Sequence, residues 1–430
     1  MKVLIIGAGL GGLLSAAKLV KEGHSIEMFE RLPDIGGRFR NINYKGYKLS
    51  TGALHMIPHG RDGPLATMLT ELDAKVTIVN SNPFVSVRVP LNKNDVNYKN
   101  GFKDVSFNGF MRRLSIIKQL KIIWIKLITK INPPITGSFY DWITNNIYDE
   151  SLIKISNSFC GWALSLKSDA VPTKEIFEIF KNIYNFKGPG VPIGGCTAVI
   201  DSLSEIILSN GGKIHTNAEI KNIVFSNGNA KGVVVNGIEY LGDVVISNIG
   251  HSETFDLYCN ENINTNLDYF NEIKNIKPSA GVKICISSNE PLIGHGGVLL
   301  TPFAQRINGI NEVTNIDPTL APDGKHLAIS HQCVQWKDLG NIKKEINIGL
   351  EDLKYIFKDR DFEILLIQSY HNGWPVNRSA SGTDITNKTP IDNLYIVGDG
   401  AKGKGGIEVE GIALGVRNVM NELLNQSNVK

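Results

Sequence analysis

Residues 3–6 are Val3, Leu4, Ile5 and Ile6, an unbroken apolar run that stops at Gly7. Consecutive apolar positions of this length predict a short strand covered on both faces. After a cluster of glycines the pattern changes period. Residues 13–21 place small and apolar side chains at helical spacing, with Ser15, Ala16 and Ala17 permitting close packing, and Gly23 ends the helix. Residues 25–29 predict a second strand that terminates in Glu30. Further strands are expected at 243–248 (DVVISN), 281–287 (GVKICIS), 325–332 (KHLAISHQ) and 393–397 (NLYIV). A strand–helix–strand opening predicts an α/β chain with a parallel sheet.

The glycines between the first strand and helix are Gly7, Gly9, Gly11 and Gly12, with Ala8 and Leu10 between them. Each position has a physical task. Gly7 makes the tight turn, Gly9 lets backbone approach a pyrophosphate, and Gly12 lets the helix sit close on the sheet. The free N–H groups of the helix start and its dipole favour phosphate. Glu30, at the end of the second strand, has the position from which a carboxylate accepts bonds from ribose hydroxyls and repels a 2′-phosphate, which argues against NADP. A purely structural glycine turn would leave Glu30 unexplained. The loop that follows carries Arg31, Gly36, Gly37 and Arg38, a second glycine pair able to fold over the dinucleotide while Arg38 offers a fork to phosphate oxygens.

With GxGxxG, an acid ending the second strand, and GGR in place, the sequence resembles the flavoprotein superfamily of amine oxidases, protoporphyrinogen oxidases and phytoene desaturases. The resemblance implies FAD and a two-part architecture: a Rossmann-type FAD-binding domain from 1–80, 190–255 and 385–430, and a discontinuous α+β substrate domain, mixed sheet plus helices, from 81–189 and 256–384. It extends to VPIGGC at 191–196, which matches a turn leading into a helix. It also covers 211–223, similar to a strand whose backbone brackets the adenine, with Ile220 at the contact position, and the returning strand that ends at Asn248. The stretch 50–55 (STGALH) matches a segment passing close to the flavin, implying contacts from Gly52, Ala53, Leu54 and His55; His55 is also a candidate proton donor or acceptor, set against a packing role. Near the other end, the resemblance has Asp399, after Gly398, bind a ribityl hydroxyl. Gly406, Ile407, Val409 and Gly411 then lie against the isoalloxazine, and a helix starting near Gly411 points its N-terminus at the ring's N1–C2 edge.

The position two residues before Glu410-Gly411, aromatic in amine oxidases, is Glu408 here, so an aromatic cage is incomplete and the phytoene desaturase-like branch is favoured. The expected activity is that of an FAD-dependent oxidoreductase moving a hydride between flavin N5 and an apolar, isoprenoid or polyene-like substrate, as desaturase or saturase. Amine or porphyrinogen oxidase activity and a non-catalytic, prenyl-lipid-binding escort role are the alternatives. No second strand–GxGxxG–helix unit occurs, so a separate nicotinamide domain is not expected and the electron donor or acceptor is unassigned. Phe159, Trp162, Leu164, Tyr370 and Trp374 are pocket or core candidates in the substrate domain, Trp374 foremost for the pocket.

Composition narrows the partners. With 430 residues, 45 basic and 42 acidic side chains and a net charge of +3, nucleic acid is not the expected partner. Cys160, Cys196, Cys259, Cys285 and Cys333 are scattered and read as free thiols of a reducing compartment, and no metal site is expected. The apolar N-terminal run is broken by glycine too early for a signal peptide, and no run approaches the roughly 20 apolar residues of a spanning helix. A cytoplasmic location follows, with one qualification. Residues 110–132 form a basic stretch, without an acid between 105 and 140, that places Phe110, Leu114, Ile117, Leu120, Trp124, Leu127, Ile128 and Ile131 on one broad helical side. Such a helix suits either peripheral contact with an anionic membrane or a cover for the second domain.

Overall fold

The computed structural model describes residues 1–52, 54–258, 267–371 and 379–427. Among them, the first strand, Lys2–Ile6, lies in the middle of a five-stranded parallel sheet. The order is Leu394–Ile396, Val244–Ser247, Lys2–Ile6, Ser25–Phe29 and Lys213–His215. Ile5 registers against Ile246 on one side and Met28 on the other. The unbroken apolar run is explained by what covers each face. Val3 and Ile5 point into a core made with the helices Leu10–Lys21, Pro64–Glu71, Cys196–Ser209 and Glu408–Ser427. Leu4 and Ile6 point the other way, into a core shared with Ile220, Ile223 and Val233 of a three-stranded antiparallel sheet.

The second domain is built on a seven-stranded mixed sheet. Its order is Glu363–Tyr370, Gly281–Ser288, His326–Cys333, Gly309–Glu312, Val298–Leu300, Val85–Pro90 and Phe102–Ser106. All neighbours are antiparallel except Val298–Leu300 against Val85–Pro90. Alternation sorts its faces. Val282, Ile284 and Ile286 pack with Leu353 and Ile356 of the helix Ile342–Ile356. Cys285, Leu327 and Ile329 face the opposite way, into a core that also holds Trp162, Leu49, Leu54, Met56 and Ile407. That core joins the two domains, because Leu49 to Met56 and Ile407 belong to the segments beside the glycine loops.

Three expectations need correction. The stretch 211–223 is not one strand. Lys213–His215 belongs to the parallel sheet and Ile220–Ser226 to the antiparallel one, and the chain turns between them at Asn217, whose φ is 52°. The final helix begins at Glu408, not near Gly411, so Gly411 sits within its first turn. The basic stretch at 110–132 is two helices. Phe107–Met111 ends first, and Ile116–Ile131 starts afresh where the Ser115 side chain accepts a bond from the Lys118 N–H. Phe110 and Leu114 are buried, whereas Ile117 and Leu120 are exposed, so the supposed single side is divided between interior and surface.

The final helix is anchored by a buried acid. Glu410 is fully buried, and its carboxyl accepts from the N–H of His59 at 3.0 Å and of Leu65, in the first turn of Pro64–Glu71, at 2.8 Å. Loss of water pushes its pKa up to about 7, from an ordinary 4.5. Between those values the folded chain holds a proton that the unfolded chain has lost. Its contribution to stability is therefore greatest below about 4.5 and declines as pH rises towards about 7. Glu410→Ala strands two buried donors and should lower the unfolding free energy by about 2–5 kcal/mol in urea titrations. The stability of the native chain relative to Glu410→Gln should fall across the same pH window; a flat difference would refute the assigned burial effect.

Candidate functional site

The first glycine loop is shaped by contacts that side chains would destroy. Gly7 has φ 87°, and its N–H bonds to the Phe29 carbonyl at 2.8 Å, tying the turn to the second strand. A Cβ at Gly12 would press into the Gly7 carbonyl, so glycine is what lets the helix start this close to the strand. That helix opens at Leu10 with Gly9 as N-cap, no side-chain cap and no acid in its first turn. Its leading N–H groups, including those of Leu10, Gly11 and Gly12, lack intrahelical acceptors and present the positive end of the dipole.

Glu30 is buried at the end of the second strand. One carboxylate oxygen accepts from Ala8 N–H at 2.8 Å and the other from Leu32 N–H at 3.0 Å, which fixes the group beside the loop while each oxygen keeps a further lone pair. The second glycine pair is laid over the first loop, with the Gly36 N–H bonded to Ala8 O at 2.7 Å and Gly36 bridged to Gly9. Gly36 and Gly37 both take positive φ, at 96° and 55°.

The two ends of the chain meet across Asn248. The Asn248 N–H bonds to Ile6 O at 2.8 Å, and its side chain fills the space between the loops. A Cβ on Gly9 would lie 2.5 Å from Asn248 Nδ2. One on Gly11 would lie 2.6 Å from Asn248 Oδ1 and 2.8 Å from the Gly398 nitrogen. Beside this junction the Arg38 guanidinium pairs with the Asp399 carboxylate. Lys402, also buried, reaches Asp384 Oδ1 at 2.8 Å and the carbonyls of Asp399 and Ser379 at 3.0 Å each. The loop then doubles back, and the Gly403 N–H bonds to Gly411 O at 2.8 Å. Two neighbours of this loop diverge. Ile407 enters the core at the domain seam, while Val409 enters the helical core behind the parallel sheet.

These residues fit FAD. An uncapped, acid-free helix start suits a pyrophosphate, Glu30 suits a ribose, and a glycine cradle leads from there to Arg38 and Asp399. Ile220 is placed on the other face of the parallel sheet, buried with Phe29 and Ala218. Arg31 is exposed just past Glu30, and Gly52 sits against the Arg38 side chain, where its Cβ would come within 2.9 Å of Arg38 Cβ. Ala53 and Trp374 lie outside the described residues, as does Cys259.

His55 is used as a strut. It is fully buried at φ 51°, its Nδ1 accepts from the Cys196 N–H at 3.2 Å, and its Nε2 is 2.8 Å from Lys48 O. This pattern requires the Nε2–H tautomer and leaves the ring neutral, and burial lowers its pKa to about 4. It holds the start of the helix Cys196–Ser209 in place. Trp162 and Leu164 are core residues, and Phe159 packs against that core partly buried.

Sequence reasoning missed Lys283. It is buried in the Gly281–Ser288 strand, where its ammonium donates to the Ser50 carbonyl and to Ser50 Oγ at 3.0 Å, and burial lowers its pKa. Lys283 registers against His331 and Gln368 on the neighbouring strands, so all three project from the face turned to the domain seam. His331 Nε2 lies 2.7 Å from the Tyr370 hydroxyl, which also bonds Ser165. A lone cation inside GVKICIS, in phase with Cys285, was the available signal.

A family model described as an NAD(P)-binding Rossmann-like domain matches residues 5–72, from the end of the first strand through the first helix and second strand to the helix Pro64–Glu71. The chain is similar to the crystal structure of an oxidoreductase from Methanosarcina mazei, with 54% identity, 98% of this chain and 100% of that one covered, and a TM-score of 0.96. It is 46% identical to an uncharacterized protein of Methanocaldococcus jannaschii over 98% of this chain and 99% of that protein. A phytoene desaturase (neurosporene-forming) of Rhodobacter capsulatus is 23% identical over 59% of this chain and 53% of its own length, so the match spans about half of that enzyme.

Gly11→Val should wedge the two loops apart at Asn248 and Gly398. Flavin retained through purification should drop at least tenfold, read as visible absorbance relative to protein. Full retention would mean that the junction does not shape the cofactor site.

Proposed function

The chain belongs to the family of the Methanosarcina mazei oxidoreductase, within the FAD-dependent superfamily of amine oxidases, protoporphyrinogen oxidases and phytoene desaturases, and we propose that it moves a hydride between flavin and an apolar, isoprenoid- or polyene-like substrate. FAD, when bound, supplies hydride chemistry at its N5. The chain's own residues hold and insulate. The start of the Leu10–Lys21 helix and Arg38 offset the pyrophosphate charge, Glu30 accepts from ribose hydroxyls, and Asp399 accepts from the ribityl chain.

The observation that carries the apolar-substrate reading is the domain seam. There Leu49, Leu54, Met56 and Ile407, from the cofactor side, meet Cys285, Leu327 and Ile329 of the seven-stranded sheet in one continuous apolar cluster. An apolar wall keeps water from a hydride donor and favours a substrate of the same polarity. The distant likeness to a phytoene desaturase supports the same reading. Glu408, where an amine oxidase places an aromatic, weighs against an amine substrate.

A second reading has its own observation. Lys283, His331, Gln368 and Tyr370 put polar groups on the face that carries Cys285 and Ile329, an arrangement suited to a polar oxidase substrate.

The test is a visible spectrum of the purified protein followed by anaerobic mixing with candidate substrates. A flavin spectrum that isoprenoid or polyene compounds bleach, or that re-forms when they oxidise the chemically reduced protein, is expected. Peroxide release with amines or porphyrinogens would replace this reading with the second, and a colourless protein indifferent to added FAD would overturn both.

A further inference from the structure

The helix Ile116–Ile131 is turned inside out relative to an ordinary surface helix. Its side towards the protein carries Lys118, Ile122, Ile125 and Thr129, of which only Ile125 is buried. Lys118 even spends its charge inward, on Asp149 at 2.6 Å. The opposite side carries Ile117, Leu120, Trp124, Leu127 and Ile131, spaced three and four apart and so aligned along one stripe. Ile117 is 79% exposed, Trp124 60% and Ile131 89%. Among the described residues, none from 116 to 131 joins any of the four hydrophobic clusters. An isolated helix of this length is marginal in water and draws its stability from burying its apolar face. Among the described residues, none buries this one.

The apolar surface continues beyond the helix. Phe180 and Tyr184 of the helix Thr173–Phe186 are exposed, and the Lys130 ammonium sits 5.0 Å from the Tyr184 ring centre. Charge identifies the partner. At 100° per residue, Lys121 flanks one edge of the stripe and Lys130 the other. No acid occurs between residues 105 and 140. A second copy related by a two-fold axis would bring the same lysines against each other with no acid of the stripe to pair them. A surface that is apolar within and negative outside accepts the stripe and its flanking lysines together.

We propose that Ile116–Ile131 docks the protein on an anionic lipid bilayer, lying in the plane of the interface with Leu120, Trp124 and Leu127 in the acyl boundary and the lysine stems reaching up to the headgroups. The inference does not rest on the redox reading, because it is drawn from residues remote from the glycine cradle and is tested by binding alone.

The experiment is co-sedimentation of the purified full-length protein with vesicles of phosphatidylcholine, alone or with phosphatidylglycerol, at low and high salt. Binding to the anionic vesicles, weak binding to the neutral ones, and loss in high salt are expected. Leu120→Glu with Trp124→Glu should abolish binding, while Lys121→Gln and Lys130→Gln should each weaken it about fivefold. The unfolding midpoints of these variants should match the native protein, since the altered side chains touch no core. Absence of binding to anionic vesicles at low salt overturns the proposal. So does equal binding to both vesicle types. A dimer by light scattering that Leu120→Glu converts to monomer would assign the face to a second copy instead.

Discussion

The structure depends on the contact between two backbone loops that are nearly four hundred residues apart in the chain, Gly11 and Gly398. A Cβ on Gly11 would strike the Gly398 backbone, and a Cβ on either glycine would strike the Asn248 amide that fills the space between them. Around this point the parallel sheet brings its central strand, the returning strand and the last strand side by side, with Ile6 registered on Ser247 and Ser247 on Ile396. The loops that follow those three strands must then emerge at one edge of the sheet, where α/β proteins place their ligands. The opposed charges of Arg38 and Asp399 are a result of that topology.

Much of this arrangement was legible in the sequence because backbone constraints leave strong traces. A strand buried on both faces has few options but an unbroken apolar run, and a loop that must touch another loop needs glycine. Lys2–Ile6, Ser25–Phe29 and the glycines that follow them could be read for those reasons. The segmentation of 211–223 could not. Both of its strands mix apolar and polar residues, KIH and IKNIVFS, and only their partners in space tell a parallel edge strand from a member of the antiparallel sheet. The roles of Glu410 and Lys283 were hidden for a related reason. A charged residue in an apolar run is ambiguous until its hydrogen-bonding partners are known, and those lie more than two hundred residues away. His55 was legible as a residue near the cofactor stretch with a hydrogen-bonding, packing role, but its partner, the Cys196 N–H, was not.

The helix Ile116–Ile131 gives the same lesson in reverse. Its amphipathic pattern was plain, but a periodic pattern does not say which side faces the protein. Only the position of Ile125, on the side of Lys118 and opposite the stripe, resolves it. The buried polar row at the seam and the apolar stripe outside both belong to the second domain. The first domain, by contrast, has its buried carboxylates at Glu30 and Glu410 satisfied by backbone N–H groups.

The register of the parallel sheet also has a consequence for the order of assembly. The central strand takes its second neighbour from residues 244–247, and that side of the sheet is completed only by residues 394–396. A nascent chain halted before that last strand already carries a complete first glycine loop, yet it has nothing to set against Gly11. Closure of the cofactor cradle is thereby tied to the pairing of the 394–396 strand, so that bound flavin would report a sheet assembled across all three of these strands.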